Sequence, residues 1–187
     1  MSILSVCGNA LTFRNNIYRC AVGKGGFAAD KKEGDGCTPT GTFPLRECWY
    51  RADRLSTPPT LLPLRVITEN DGWCDDVESA EYNRHILRHP GEGRDPHPLT
   101  SERPDVDASL RWHDSERLWR DDHVYDLIIP LGYNDDPIIK GRGSAIFMHI
   151  AHDDYRGTEG CIALASEDLL DILPFLDINT HIQIHAT

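Results

Sequence analysis

No window of the 187-residue chain approaches the roughly 18 consecutive apolar residues of a membrane-spanning helix. The opening residues, MSILSVCGNALTF, have neither a basic n-region nor a sustained apolar h-region. They read as a first strand and not as a signal peptide. The expected location is therefore cytoplasmic for the chain as written, and the periplasm or cell envelope if an upstream export signal precedes it. Cys-x-x-Cys is missing among the six cysteines, which excludes the usual zinc-ribbon and thioredoxin patterns. Without an export signal no disulfides are expected, and most of Cys7, Cys20, Cys37, Cys48 and Cys74 are expected in strands as small apolar residues. Positive charge is also scarce, with 19 Lys and Arg against 30 Asp and Glu. Residues 51–187 carry the whole deficit, 13 basic against 26 acidic side chains, whereas residues 1–50 carry 6 and 4. A phosphate backbone would be repelled, so nucleic acid is not an expected partner. An acidic surface tolerates substrates that carry an amine, and otherwise serves solubility.

What is present is short, apolar and β-favouring. ILSV, LTF and IYRCAV are of strand length, and Asn15-Asn16 offers a hairpin turn between the last two. The glycine-rich loop VGKGGFAADKKEGDGCTPTG lacks the G-x-x-x-x-G-K-[ST] spacing and no helical pattern follows it, so it is not read as a phosphate cradle. TFPLREC resumes as a strand, and residues 51–85 read as irregular. Residues of about 87–108 are proline-rich, charged and aperiodic, hence a disordered segment or an insertion. Within them RHPGEGRDP resembles the translated product of a dispersed palindromic DNA element, which implies a late insertion without a role in the chemistry. VYDLIIPLGYN alternates, and GSAIFMHI is almost continuously apolar, as suits a strand buried on both faces. SEDLLDILPFL is the one good helix, about 166–176, with Ser166 as its cap and Leu169, Leu170, Leu173 and Leu176 on one face. HIQIHA closes the chain as a strand. The expected fold is mainly β, a sandwich or barrel-like single domain over 1–187 with one C-terminal helix.

One stretch, FMHIAHDDYRGTEGCIAL, carries candidate chemistry. A thiol with a pKa near 8.5 is only slightly ionised at neutral pH, so a nucleophilic cysteine needs a partner that takes its proton. His149 ends the apolar strand, and a polar loop returns to Gly160 and Cys161. Backbone N–H groups there are positioned to hold an oxyanion. The spacing alone leaves three readings open. The pair is a nucleophile and its base, or two buried structural residues. Alternatively His149, His152 and Cys161, with His123, are zinc ligands.

TEGCIAL after FMHI, with Thr38-Pro39-Thr40-Gly41-Thr42-Phe43 upstream, resembles the L,D-transpeptidase catalytic domain, the YkuD domain. NDGWCDDVESAEYNR, ERLWRDDHVYDLIIPLGYNDDP and GRGSAIFMH resemble a compact, single-domain subgroup of it. The resemblance implies a YkuD-like β fold and a cysteine acyltransferase acting on peptidoglycan stem peptides or muropeptides, without metal or organic cofactor. It implies Cys161 as nucleophile, His149 as base, and Gly160 with Cys161 as oxyanion donors. A backbone carbonyl is the usual third member of such a triad. Thr158 matches the hydroxyl residue that opens the motif. Arg142, His123, Tyr133 and Asn134 are expected around the substrate. Family members often carry Arg two residues after the cysteine, where this chain has Ala163, and Arg142 is the expected source of that charge, or else a structural partner of an acidic neighbour. The reaction is transpeptidation or, with water as acceptor, L,D-carboxypeptidation. The alternatives are a non-catalytic peptidoglycan-binding module and a zinc-binding structural domain. Oligomeric state is not legible in the sequence.

Overall fold

The computed structural model describes residues 2–87 and 115–186. The chain opens as an antiparallel run of β1 (Ile3–Cys7), β2 (Ala10–Phe13) and β3 (Asn16–Ala21). The glycine-rich loop contains β4 (Phe27–Ala28) and β5 (Thr38–Pro39), paired in parallel. β6 (Gly41–Pro44), β7 (Cys48–Tyr50) and β8 (Leu64–Val66) follow. Then come β9 (Asp71–Cys74), β10 (His85–Leu87) and β11 (Ser115–Arg117), which form their own sheet in the order β10-β9-β11. β12 (Leu127–Pro130), β13 (Phe147–Ile150) and β14 (Ile162–Leu164) lead into α1 (Ser166–Ile172), a 3-10 turn at Leu173–Phe175, and β15 (His181–Ile184). The main sheet has ten strands in the order β6-β15-β1-β2-β3-β14-β13-β12-β7-β8, curled into a half-barrel. The fold is mainly β with one short C-terminal helix.

Side-chain alternation divides the core between the two faces of this sheet. Met148, Ile150, Ile162 and Leu164 enter the larger cluster with Leu4, Leu11 and Ile182, and Leu169, Ile172, Leu173 and Leu176 close over it. Phe147 and Cys161 point the other way, into a smaller cluster with Trp49, Tyr125 and Ile128. Trp73 of β9 packs its ring 5.1 Å from Phe147 and 6.0 Å from Trp49, so the small sheet covers this second face. Two arginines after β7 then clamp the segment before β12. Buried Arg51 forks onto Asp53, lies 3.3 Å from the Trp119 ring centroid and donates to the Arg120 carbonyl at 2.8 Å. Arg54 donates to the Asp122 carbonyl at 2.8 Å and to Asp126 at 2.7 Å. The loop of residues 119–126 is thus held by charge-assisted bonds at several points.

Several expectations shift. The second hairpin turns at Arg14-Asn15, with φ of 48° and 71°, one residue before the Asn pair. A two-residue turn of this hand needs positive φ at both central positions, and Asn16 is already in β3. Helix α1 starts one residue early. Ala165 is its N-cap, no side chain caps it, and Ser166 is its first helical residue. The region expected to be irregular contains β8, β9 and the first residue of β10. These strands are only three or four residues long, so no alternating pattern marks them. Leu87, the last residue of β10, begins the expected insertion, and the rest of that segment lies outside the described residues.

Candidate active site

β13 and β14 run parallel, with Met148 opposite Ile162 and His149 opposite Ala163. Residues 147 and 149 of one strand therefore share a face with 161 and 163 beside the other. Cys161 falls next to Phe147, and His149 falls diagonally from it on that same face. The thiol accepts the Phe147 N–H at 3.3 Å and donates to the Ala145 carbonyl at 3.3 Å. It rests against the backbone of β13 and makes no hydrogen bond to His149. The His149 ring meets the Ile150 carbonyl through Nδ1 at 2.8 Å. A carbonyl only accepts, so Nδ1 carries the proton and Nε2 is the basic nitrogen. Tyr125 stacks edge-on against that ring at 5.3 Å.

Burial dominates the proton affinities. His149 is 4% exposed and its imidazole is pushed down to about 4 by desolvation, against a smaller opposing effect of the Ile150 carbonyl. Burial pushes the Cys161 thiol up to about 12, and the Phe147 N–H pulls the other way. Both shifts disfavour charge, so the resting pair is thiol and neutral imidazole.

The two side chains line one cavity of about 440 Å³. Its walls include Glu33, Glu116, Arg120, Tyr125, Ser144, His152, Arg156, Thr158 and Glu159. Arg120 is bound in a fork to Asp122, at 2.9 and 2.6 Å. The Arg156 guanidinium lies 3.0 Å from the His152 ring, and no carboxylate pairs with its side chain among the described residues. The turn into Cys161 is tightly packed. Thr158 Oγ1 donates to the Cys161 carbonyl at 2.7 Å and accepts the Gly160 N–H at 3.1 Å. Gly160 has φ +134°, and a Cβ on it would sit 2.6 Å from the Cys37 carbonyl and 3.3 Å from Lys31 Nζ. Lys31 is 3% exposed, pairs with Asp35 at 2.7 Å, and runs past Gly143, where a Cβ would strike its Cε at 2.7 Å. Thr38, the first residue of the upstream motif, accepts the Gly23 N–H at 2.8 Å, and Gly23 is itself bridged to Thr158 of this turn.

Of the residues expected at the site, Cys161, His149 and Thr158 line the cavity, and Gly160 lies in the turn behind it, its N–H engaged by Thr158. Arg142 lies elsewhere and pairs with Asp30 at 3.2 Å on the surface. His123 lines a different cavity and meets Asp126 at 2.9 Å. Tyr133 lines a third, next to Trp49 and His85. Asn134 bonds the loop at Ile139 and Gly143. His123 therefore shares a cavity with His152 but not with His149 or Cys161, and no group of three or more potential metal ligands occurs among the described residues. The expected position of the family arginine is filled by Ala163, 1% exposed and opposite His149. Arg120 and Arg156 are the guanidinium groups at the cavity. They come from loops, where the sequence offers no periodicity to single them out.

The family model of the L,D-transpeptidase catalytic domain, YkuD, matches residues 8–184. This chain belongs to that family. No curated protein and no solved structure matches it. No helix among the described residues of this YkuD domain is long and apolar enough to cross a membrane.

Two outcomes follow for the domain. His149 binds its proton more weakly when folded than the ordinary 6.5, so the unfolded chain takes up a proton first as pH falls. The resulting loss of stability develops between about pH 6.5 and about 4 and levels off below. Urea midpoints across that range are expected to fall less for His149→Gln than for the parent. Ala163→Arg places a charge at a buried position and is expected to cost about 3 kcal/mol or more, read as a lowered midpoint. An unchanged midpoint would show that the face has room for the family arginine.

Proposed function

We propose that this protein is a cysteine acyltransferase of peptidoglycan stem peptides, an L,D-transpeptidase or L,D-carboxypeptidase. The observation that carries the reading is the shared face of β13 and β14. It directs the Cys161 thiol and the His149 ring into one cavity, with Nδ1 fixed by the Ile150 carbonyl. That carbonyl is the third member of the triad, so the identity of the Ile150 side chain is immaterial.

In this mechanism Cys161 Sγ attacks the carbonyl carbon at the L-centre of an L,D bond, such as that of diaminopimelate before D-alanine. Its proton passes to His149 Nε2 as the S–C bond forms. The oxyanion is held by the backbone of the Gly160–Cys161 turn. The Cys161 N–H is the donor we assign first, because the Gly160 N–H is bonded to Thr158. His149 returns the proton to the leaving nitrogen, the C–N bond breaks, and D-alanine departs. An amine of a second stem, or water, then attacks the thioester through the same base. Because burial disfavours both a free thiolate and an imidazolium, proton transfer accompanies attack. Arg156, whose side chain pairs with no carboxylate among the described residues, is the group proposed to receive the substrate carboxylate in place of Arg142. The site of action is the cell envelope, where stems are cross-linked, or a pool of soluble muropeptides.

Exposure to a tetrapeptide muropeptide is expected to add the acyl mass to Cys161 and release D-alanine, and a carbapenem is expected to acylate the same residue. Cys161→Ser should lose most of the activity. His149→Ala should lose activity without recovery at moderately alkaline pH, since the thiol is pushed up to about 12. Intact mass and product analysis read each arm. Absence of both adducts and of D-alanine release in the parent protein would favour the non-catalytic binding module instead.

A further inference from the structure

Glu33 projects from the glycine-rich loop into the wall of the cavity that holds Cys161. One of its oxygens, Oε2, accepts the Tyr82 hydroxyl at 2.5 Å and the Ser144 hydroxyl at 2.8 Å. Tyr82 is 1% exposed, and its own oxygen accepts the Gly143 N–H at 3.0 Å. Burial and the adjacent carboxylate push that phenol up, so it stays a donor. The Glu33 backbone is also fixed, its N–H donating to the Gly141 carbonyl at 2.9 Å. Two hydroxyls on one oxygen set the rotamer of the carboxylate, and Oε1 makes no hydrogen bond among the described residues.

The charge of this group is not answered by any described residue. No Lys, Arg or His among the described residues pairs with Glu33. Lys31, two residues away, is turned to Asp35 at 2.7 Å. Lys24 is turned to Glu159 at 2.5 Å. Ser144 is followed by Ala145, whose carbonyl accepts the Cys161 thiol. The oriented carboxylate therefore stands on the segment that touches the nucleophile. A fixed anion without a counter-cation, in a partly enclosed cavity, favours a ligand cation.

We infer that Glu33 is the subsite for a primary ammonium group of the substrate. This rests on the acyl-transfer reading for the kind of substrate, and not for the site itself. Stem peptides offer such a group in two places, the side-chain amine of a diamino acid in the donor and the amine of the acceptor.

The first experiment needs only a reachable thiol. Cys161 is labelled in the full chain with 2-aminoethyl methanethiosulfonate, which is cationic, and with neutral methyl methanethiosulfonate, and each rate is read by peptide mapping. Glu33→Gln keeps an acceptor for Tyr82 and Ser144 and removes the charge. The ratio of cationic to neutral rate is expected to fall about tenfold, and an unchanged ratio overturns the inference. If that variant does not fold, Tyr82→Phe loosens the carboxylate and keeps its charge. It should lower the ratio by a smaller factor, and no change there overturns the inference equally. A lowered ratio without any D-alanine release would sink the acyl-transfer reading and leave the ammonium site standing. With turnover, a selective loss on donors with a free side-chain amine, compared with their N-acetylated forms, assigns the ammonium to the donor. A loss confined to transfer onto an amine acceptor assigns it to the acceptor. Equal losses on every substrate overturn the inference.

Discussion

Parallel neighbours in a sheet cannot be joined by a tight hairpin. β13 and β14 are such neighbours, so the chain leaves the sheet at Ile150, loops outward and comes back at Ile162. Much of the site follows from this return. The register fixes which residues share a face, and the loop has to carry its own packing, to which Thr158 contributes by bonding the Gly160 N–H and the Cys161 carbonyl. A slip of one residue in this pairing would turn Cys161 into the helix-covered core and bring Ile162 to the cavity. The hydrophobic alternation of both strands opposes that slip, because Met148, Ile150, Ile162 and Leu164 fill the larger core together.

The enclosure that sets the geometry also sets the reactivity. A thiol and an imidazole in water would each titrate within reach of neutral pH. Under the small sheet, with Trp73, Phe147 and Tyr125 around them, both are held neutral. In the proposed reaction it is the substrate's developing charge that draws the thiol proton across. The Phe147 N–H holds the sulfur and the Ile150 carbonyl holds the imidazole, each through the backbone of the same strand.

The sequence showed the family through the pairing of TEGC with TPTGTF, and it showed the β character through short apolar runs. It did not show why those motifs belong together. Thr38 closes the glycine-rich loop on itself through Gly23, and the neighbouring Cys37 carbonyl lies against Gly160, a contact between segments far apart in the chain. Spacing arguments also misplaced the charged residues. Arg142 looked available because it adjoins the apolar strand, yet a positive-φ Gly143 separates it from the cavity and it faces Asp30. Arg120 is brought in by the clamp of Arg51 and Arg54, which no periodic pattern announces. Glu33 sat in a loop that was weighed only as a phosphate cradle. Its neighbours Tyr82 and Ser144 come from two other segments, so the loop's own composition held no sign of them.

Lys31 threads between two glycines that differ in what blocks them. At Gly143 the obstacle is the lysine's own side chain, whereas at Gly160 the nearest obstacle is the Cys37 backbone. These positions should therefore differ in how freely they drift over generations. At residue 143 a shorter residue in place of Lys31 removes the steric obstacle and leaves only the strain of a positive φ, so a side chain there is less harmful after that change than before it. Residue 160 has no such permissive partner, because no side-chain exchange removes a carbonyl.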